Sequence, residues 1–213
     1  MQSRRHVLIA LGSLPILAAT PLTQATSTAT ATATSGQPAP DFTLPGADGK
    51  PVSLQALRGK TVVLEWTNHD CPYVRKHYTS GNMQTLQKDA AAQGAVWLQV
   101  ISSAPGGQGH VDGPAAMKLN AERQSKPAGT LLDPAGRVGR LYGAKTTPHM
   151  YIVNAQGLLV YAGGIDSIPS SRLEDIAKAE PYVRNALAEL AAGKPVSKAS
   201  TRPYGCSIKY SDA

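Results

Sequence analysis

Cysteine is scarce in this 213-residue chain, which has only Cys71 and Cys206. Two thiols allow a single intramolecular pairing. With no cysteine before residue 71, a lipoprotein anchor is not expected. Dense Cys/His spacing of the zinc type is also missing. There is no long block of one charge. The formal charge is +7, and Arg4 and Arg5 are the only Lys, Arg, Asp or Glu among residues 1–35, which leaves +5 scattered over the rest. That pattern reads as a solvated basic surface and argues against a nucleic-acid partner. No stable membrane anchor is expected, because the apolar run that starts at Val7 ends near Ala19, short of a comfortable bilayer span. The glycine-rich stretch from Ser102 to Pro114 lacks the lysine–serine ending of a phosphate-binding loop, so a nucleotide is not expected either.

What is present divides the chain into four parts. Residues 1–25 carry Ser3-Arg4-Arg5-His6-Val7-Leu8, a positive start followed by an apolar stretch. They resemble a twin-arginine export signal, with Val7 and Ile9 in place of that motif's usual Phe and Lys. An ordinary secretory signal would lead to the same compartment. The expected localisation is therefore periplasmic or otherwise exported. Residues 26–36, an Ala/Thr alternation, read as a linker that cannot pack a core. Residues 37–192 hold the folded domain, and 193–213 form a polar C-terminal tail that could be mobile and carries Cys206.

The informative stretch is Val62-Val63-Leu64-Glu65-Trp66-Thr67-Asn68-His69-Asp70-Cys71-Pro72-Tyr73-Val74-Arg75-Lys76-His77. It opens as an apolar, β-branched strand and closes as a basic helix. Proline is favoured at the first helical position, so Cys71 is predicted to be the N-cap. A thiol there faces free backbone N–H groups and the positive end of the helix dipole. Arg75, Lys76 and His77 place more positive charge nearby. Such a setting favours the thiolate, which is the nucleophile. The competing reading is a cysteine used as a small buried hydrophobe.

Around this stretch, a hairpin is expected over Phe42–Leu54, a helix from Met83 to Ala92, and a strand at Val96–Ile101. A helix over 115–125 and a short strand over Gly129–Leu132 follow. The turn Asp133-Pro134-Ala135-Gly136 leads to a short helix through Tyr142. After it come Thr146-Thr147-Pro148, a hairpin of Tyr151–Val153 with Leu158–Ala162, and a final amphipathic region divided at Pro181. Strands alternating with helices point to a three-layer α/β sandwich whose last strand pair is antiparallel.

Strand–Cys71–helix, the Leu131-Leu132-Asp133-Pro134-Ala135-Gly136 turn and Thr147-Pro148 together resemble the thioredoxin superfamily. The likeness is to redoxins of the peroxiredoxin-like type, the alkyl hydroperoxide reductase/thiol-specific antioxidant group. It implies a thioredoxin-like α/β/α sandwich with a mixed central sheet. It also implies an oxidoreductase that needs no cofactor, with Pro148 as a cis-proline facing Cys71. Val74 stands where a thioredoxin has its second cysteine, so Cys71 has no local partner. Asn68 stands where typical peroxiredoxins have threonine.

Three functions follow from the resemblance and the residues. In the first, Cys71 attacks a peroxide, Cys206 resolves the sulfenic acid, and an external thiol reductant closes the cycle. His69 and Arg75 would support the thiolate or orient substrate, with Arg137 and Arg140 as further arginine candidates. In the second, the substrate is a protein disulfide, a version favoured by Thr147-Pro148. In the third, His69, Cys71, His77, His149 and Met150 converge on copper and the domain is not an enzyme. A static Cys71–Cys206 bond or an intersubunit link are the plain alternatives for Cys206. Oligomeric state is not legible.

Overall fold

A computed structural model describes residues 32–211. The twin-arginine-like signal and the first part of the Ala/Thr tract lie outside these residues. From β1 (Thr43–Pro45) and β2 (Pro51–Ser53) the chain enters β3 (Val62–Trp66), α1 (Pro72–Thr79) and α2 (Asn82–Ala92). Then come β4 (Val96–Ile101), α3 (Gly113–Glu122), β5 (Gly129–Leu132) and α4 (Arg137–Leu141). The last elements are β6 (Thr146–Thr147), β7 (His149–Val153), β8 (Leu159–Gly163), a 3-10 turn at Leu173–Lys178, α5 (Tyr182–Ala191) and β9 (Cys206–Ser207).

Five strands make the central sheet in the order β5-β4-β3-β7-β8. The β3–β4 and β4–β5 pairs are parallel, while β3–β7 and β7–β8 are antiparallel. β3 is the middle strand, and all five of its residues are buried. A strand covered on both faces reads as a continuous apolar run, which is what Val62–Trp66 supplies apart from Glu65. Alternation sends Val62, Leu64 and Trp66 to one core and Val63 to the other.

The two cores differ in their cover. α1, α2 and α5 close one face through Val74, Tyr78, Met83, Leu86, Ala90, Val183 and Leu187. The opposite face has a thinner layer made from the β1–β2 hairpin and α4. Tyr and Trp supply most of its aromatic volume, since the chain has one Phe. Each such ring brings a polar atom that must be satisfied once buried. Trp66 Nε1 donates to Ser102 Oγ at 3.0 Å, Tyr142 OH to Pro40 O at 2.7 Å and Tyr151 OH to Tyr142 O at 3.0 Å.

The helical pattern that weakens at Ser80-Gly81 is a true break. Gly81 has φ +76°, a left-handed conformation that glycine adopts without a Cβ clash, and α2 restarts there on a new axis. Pro181 separates the 3-10 turn from α5, as the sequence implies.

Two terminal segments pack more closely than composition suggests. Ala33 N donates to Leu141 O and Gly36 N to Leu159 O, so the end of the Ala/Thr tract lies against the domain. The tail that could be mobile is instead fastened along its length. Ala162 N donates to Ala199 O and Thr201 N to Ala162 O, laying the tail along the edge strand β8. Further on, β9 pairs antiparallel with β6, setting Thr147 opposite Cys206. Tyr204 and Ile208 are both buried. Covering an exposed sheet edge satisfies backbone groups that would otherwise be left open.

Candidate active site

β3 delivers the chain to a tight loop beneath the sheet's end. Asn68 Oδ1 accepts from Asp70 N at 2.8 Å and Asn68 O from Cys71 N at 3.2 Å, which folds the loop back into α1. Cys71 is the N-cap of α1, with extended dihedrals, and Pro72 follows in the first turn. Its carbonyl accepts the first helical bond from Arg75 N at 2.9 Å. The thiol does not cap the helix, however. It turns across to the neighbouring loop, where Cys71 Sγ meets Thr147 O at 3.0 Å and Cys206 N at 3.4 Å.

The Thr147–Pro148 peptide bond is cis. Proline makes that isomer accessible, and the Thr147 carbonyl just before it faces the Cys71 sulfur. The same short segment, β6, carries β9 on its edge, so one backbone element touches both cysteines. Both thiols are free, Cys71 fully buried and Cys206 partly exposed. Burial first, then a hydrogen bond with Cys71 and its charge, pushes the Cys206 thiol up to about 11.

The cationic cluster expected behind Cys71 is arranged differently. The Arg75 side chain donates to His69 O at 3.1 Å and pairs with Asp70 at 3.2 Å, on the exposed side of the loop. His69 lies beside Asp70 at 3.4 Å, and burial lowers its pKa. Arg123 also donates to His69 O, at 3.0 Å. Neither the His69 nor the Arg75 side chain has a hydrogen bond or ion pair to the Cys71 thiol among the described residues. Lys76 points inward, fully buried, 3.6 Å from Asp166. His77 is buried beside it, and burial, then the Lys76 charge, lowers its pKa to about 3. His77 therefore contributes no positive charge at neutral pH. Amphipathic spacing could not show this, because the partner Asp166 lies in a distant loop.

The copper constellation is not assembled either. His77 sits in the Lys76–Asp166 cluster, His149 stacks on Tyr151 with centroids 4.5 Å apart, and Met150 is core. Among the described residues, no group of three or more His, Cys, Asp or Glu is placed to hold a metal ion. Arg140 lies over the Tyr210 ring, 4.7 Å from its centroid, and donates to Ser211 O and Ala135 O.

One buried acid escaped the sequence reading. Glu65 occupies the middle of β3 and accepts from Tyr78 OH and Trp97 Nε1, both at 2.8 Å. Gln99 Nε2 donates in turn to Tyr78 OH at 2.6 Å. Burial raises the carboxyl pKa, and these hydrogen bonds oppose it. Its signal was available in the sequence, as a single acid inside an otherwise apolar central strand.

A five-stranded mixed sheet, a cysteine at a helix N-terminus and, against its sulfur, the carbonyl that precedes a cis-proline define a thioredoxin-superfamily redoxin, an oxidoreductase. The sequence profile of the AhpC/TSA family matches residues 35–162, more than half of the chain, and the chain belongs to that family. Among solved structures, an uncharacterized conserved protein from Geobacillus kaustophilus is similar at 26% identity and TM-score 0.70, over 84% of this chain and 94% of that one. A hypothetical protein from Sinorhizobium meliloti matches at 22% identity and TM-score 0.69, over 86% and 98%. A thiol:disulfide interchange protein DsbE candidate from Chlorobium tepidum matches at 27% identity and TM-score 0.50, over 62% and 85%. The search of curated proteins found no match.

Proposed function

We propose that this protein is an exported thiol–disulfide oxidoreductase whose working pair is Cys71 and Cys206. The observation that carries the reading is the pairing of Cys206 with Thr147, beside cis-Pro148, which sets the Cys206 backbone N–H 3.4 Å from the Cys71 sulfur. Export rests on the N-terminal signal-like segment.

The chemistry is two successive exchanges. The Cys71 thiolate attacks one sulfur of a disulfide RS–SR, a Cys71–SR bond forms, and RS⁻ leaves. Cys206 then loses its proton and attacks the Cys71 sulfur, forming Cys71–Cys206 and expelling the second RS⁻. Both thiolates take up protons, so one disulfide is reduced as the protein pair is oxidised. An external thiol reverses the sequence. Each half-step has a structural counterpart. Formation of the mixed disulfide places the Cys71 sulfur beside the β9 strand that carries Cys206. Cys71 is covered while the tail is docked, so a bulky disulfide reaches it with the tail raised. A cleft of about 460 Å³ is bordered by Thr146 and Gly205, the chain neighbours of Thr147 and Cys206.

The family match supports a second reading, in which Cys71 attacks peroxide and Cys206 resolves the sulfenic acid. The nearby arginine does not favour it, since Arg75 is committed to His69 O and Asp70.

The test is to mix reduced protein with glutathione disulfide or with hydrogen peroxide and map the products by mass. A Cys71–Cys206 bond is expected, formed faster with the disulfide than with peroxide. In Cys206→Ser, glutathione should stay trapped on Cys71. Faster reaction with peroxide would replace the first reading by the second, and thiols inert to both oxidants would remove both.

A further inference from the structure

Near the working pair lies a buried polar cluster that the chemistry above does not use. It joins Lys76 and His77 of α1, Asp166 of the loop after β8, and Tyr204 of the tail. Tyr204 OH donates to Asp166 Oδ1 and is approached by Lys76 Nζ at 3.3 Å and His77 Nε2 at 3.4 Å. The Lys76 and His77 side chains have no solvent exposure and Asp166 has 6%. Lys76 Nζ also reaches Ile168 O at 3.5 Å, and Asn82 Nδ2 meets His77 Nδ1 at 2.8 Å. The Tyr204 ring packs on Tyr73 with centroids 5.9 Å apart.

We propose that Tyr204 is the positioning residue of the redox pair, its phenol fixing the register at which Cys206 meets Cys71. This rests on the Cys71–Cys206 reading above.

Register needs such a device here. The β6–β9 ladder is two residues long. A one-residue slip in a strand turns every side chain to the opposite face, and so short a ladder resists slipping poorly. Tyr204 stands two residues before Cys206, with the bend at Gly205 between them. Both pack against the core that contains Cys71. A buried ion pair adds little net stability, because desolvation offsets its attraction, but it discriminates sharply among positions. If the tail slipped, Lys76 and Asp166 would lose the hydroxyl that bridges them. Tyr210, the other tyrosine of the tail, anchors elsewhere: its OH donates to Ala144 O at 2.8 Å, and its ring packs against the opposite core.

The deciding variant is Tyr204→Phe, which keeps the ring and removes the hydroxyl, with Tyr210→Phe as the comparison. In glutathione redox buffers, Tyr204→Phe should lower the equilibrium constant for the Cys71–Cys206 bond by roughly ten-fold, the scale of one hydrogen bond to a charged group. The Cys71–glutathione mixed disulfide should accumulate in its place. Tyr210→Phe should leave that constant near wild type. A purely structural role would lower the melting temperature of Tyr204→Phe without moving the constant, and that result overturns the proposal. Alkylation of the reduced protein separates this claim from the reading beneath it. If wild type forms no internal disulfide, the redox reading fails. The positioning claim then stands or falls on whether Tyr204→Phe speeds labelling of Cys206 selectively. Should Tyr204→Phe not fold, Asp166→Asn takes its place in the same two assays, with the same outcomes deciding.

Discussion

The two cysteines touch, yet they are seated in opposite ways. Cys71 stands where the central strand meets the first helix, and its loop is fixed by local bonds from Asn68 and by the start of α1. Cys206 lies on a two-residue strand at the end of a long tail, held by partners remote in sequence. Tyr204 meets Lys76 across 128 residues of chain. A thiol seated between two regular elements keeps its geometry. A thiol on a docked tail leaves only when the β6–β9 pairing and the contacts of Tyr204 are broken. The difference suits exchange chemistry, which needs one sulfur that stays and one that swings.

Glu65→Leu should test the rigid seat most severely. The substitution leaves the Trp97 indole N–H and the Tyr78 hydroxyl buried without their acceptor. A cost of about 3 kcal/mol is expected from two stranded donors, less the relief of removing a buried carboxylate. Urea denaturation of the reduced protein measures it, and an unchanged midpoint would show that β3 does not depend on this network.

The tail should yield at Gly205. Its φ is +129°, and a Cβ there would lie 2.0 Å from Thr147 O. Gly205→Ala is therefore expected to push β9 off β6 at a cost of about 1–3 kcal/mol to docking. Cys206 should become faster to alkylate, while Cys71 keeps its place on α1. Equal labelling rates in the two proteins would mean that the tail tolerates a side chain at this contact.

The smallest effect is expected for Arg75→Ala. Although its position by the nucleophile marked it in the sequence, its guanidinium pairs with Asp70 on the surface. Exposed pairs of this kind contribute about 0–1 kcal/mol. Exchange rates with glutathione disulfide should stay within about two-fold of wild type, close to the effect of a screened surface charge. A loss of a hundred-fold would return Arg75 to the reacting centre.

These contrasts also separate what could be read in advance from what could not. The N-cap at Cys71 follows from a strand, a cysteine and a proline in direct succession. The cis bond before Pro148 was an expectation of the family resemblance, and the structure has it. The inward turn of Lys76 was not legible, because a lysine on a helix meets its carboxylate only once a loop some ninety residues later packs beside it. Composition likewise misjudged the tail. Its residues are mostly polar, and polar segments without periodicity read as loose, but three of them find specific seats. Tyr204 enters the buried ion pair, Ile208 enters the core, and Tyr210 covers Gly139.

By itself the sequence determined most of the elements of the domain, their order and the N-cap position of Cys71, because periodicity, helix signals and proline act over a few residues. Only the tertiary structure decided where the Cys71 thiol points, which charges survive near it, and that Cys206 is its neighbour. Those outcomes depend on contacts between distant segments and on burial, and neither is a property of any local stretch of chain.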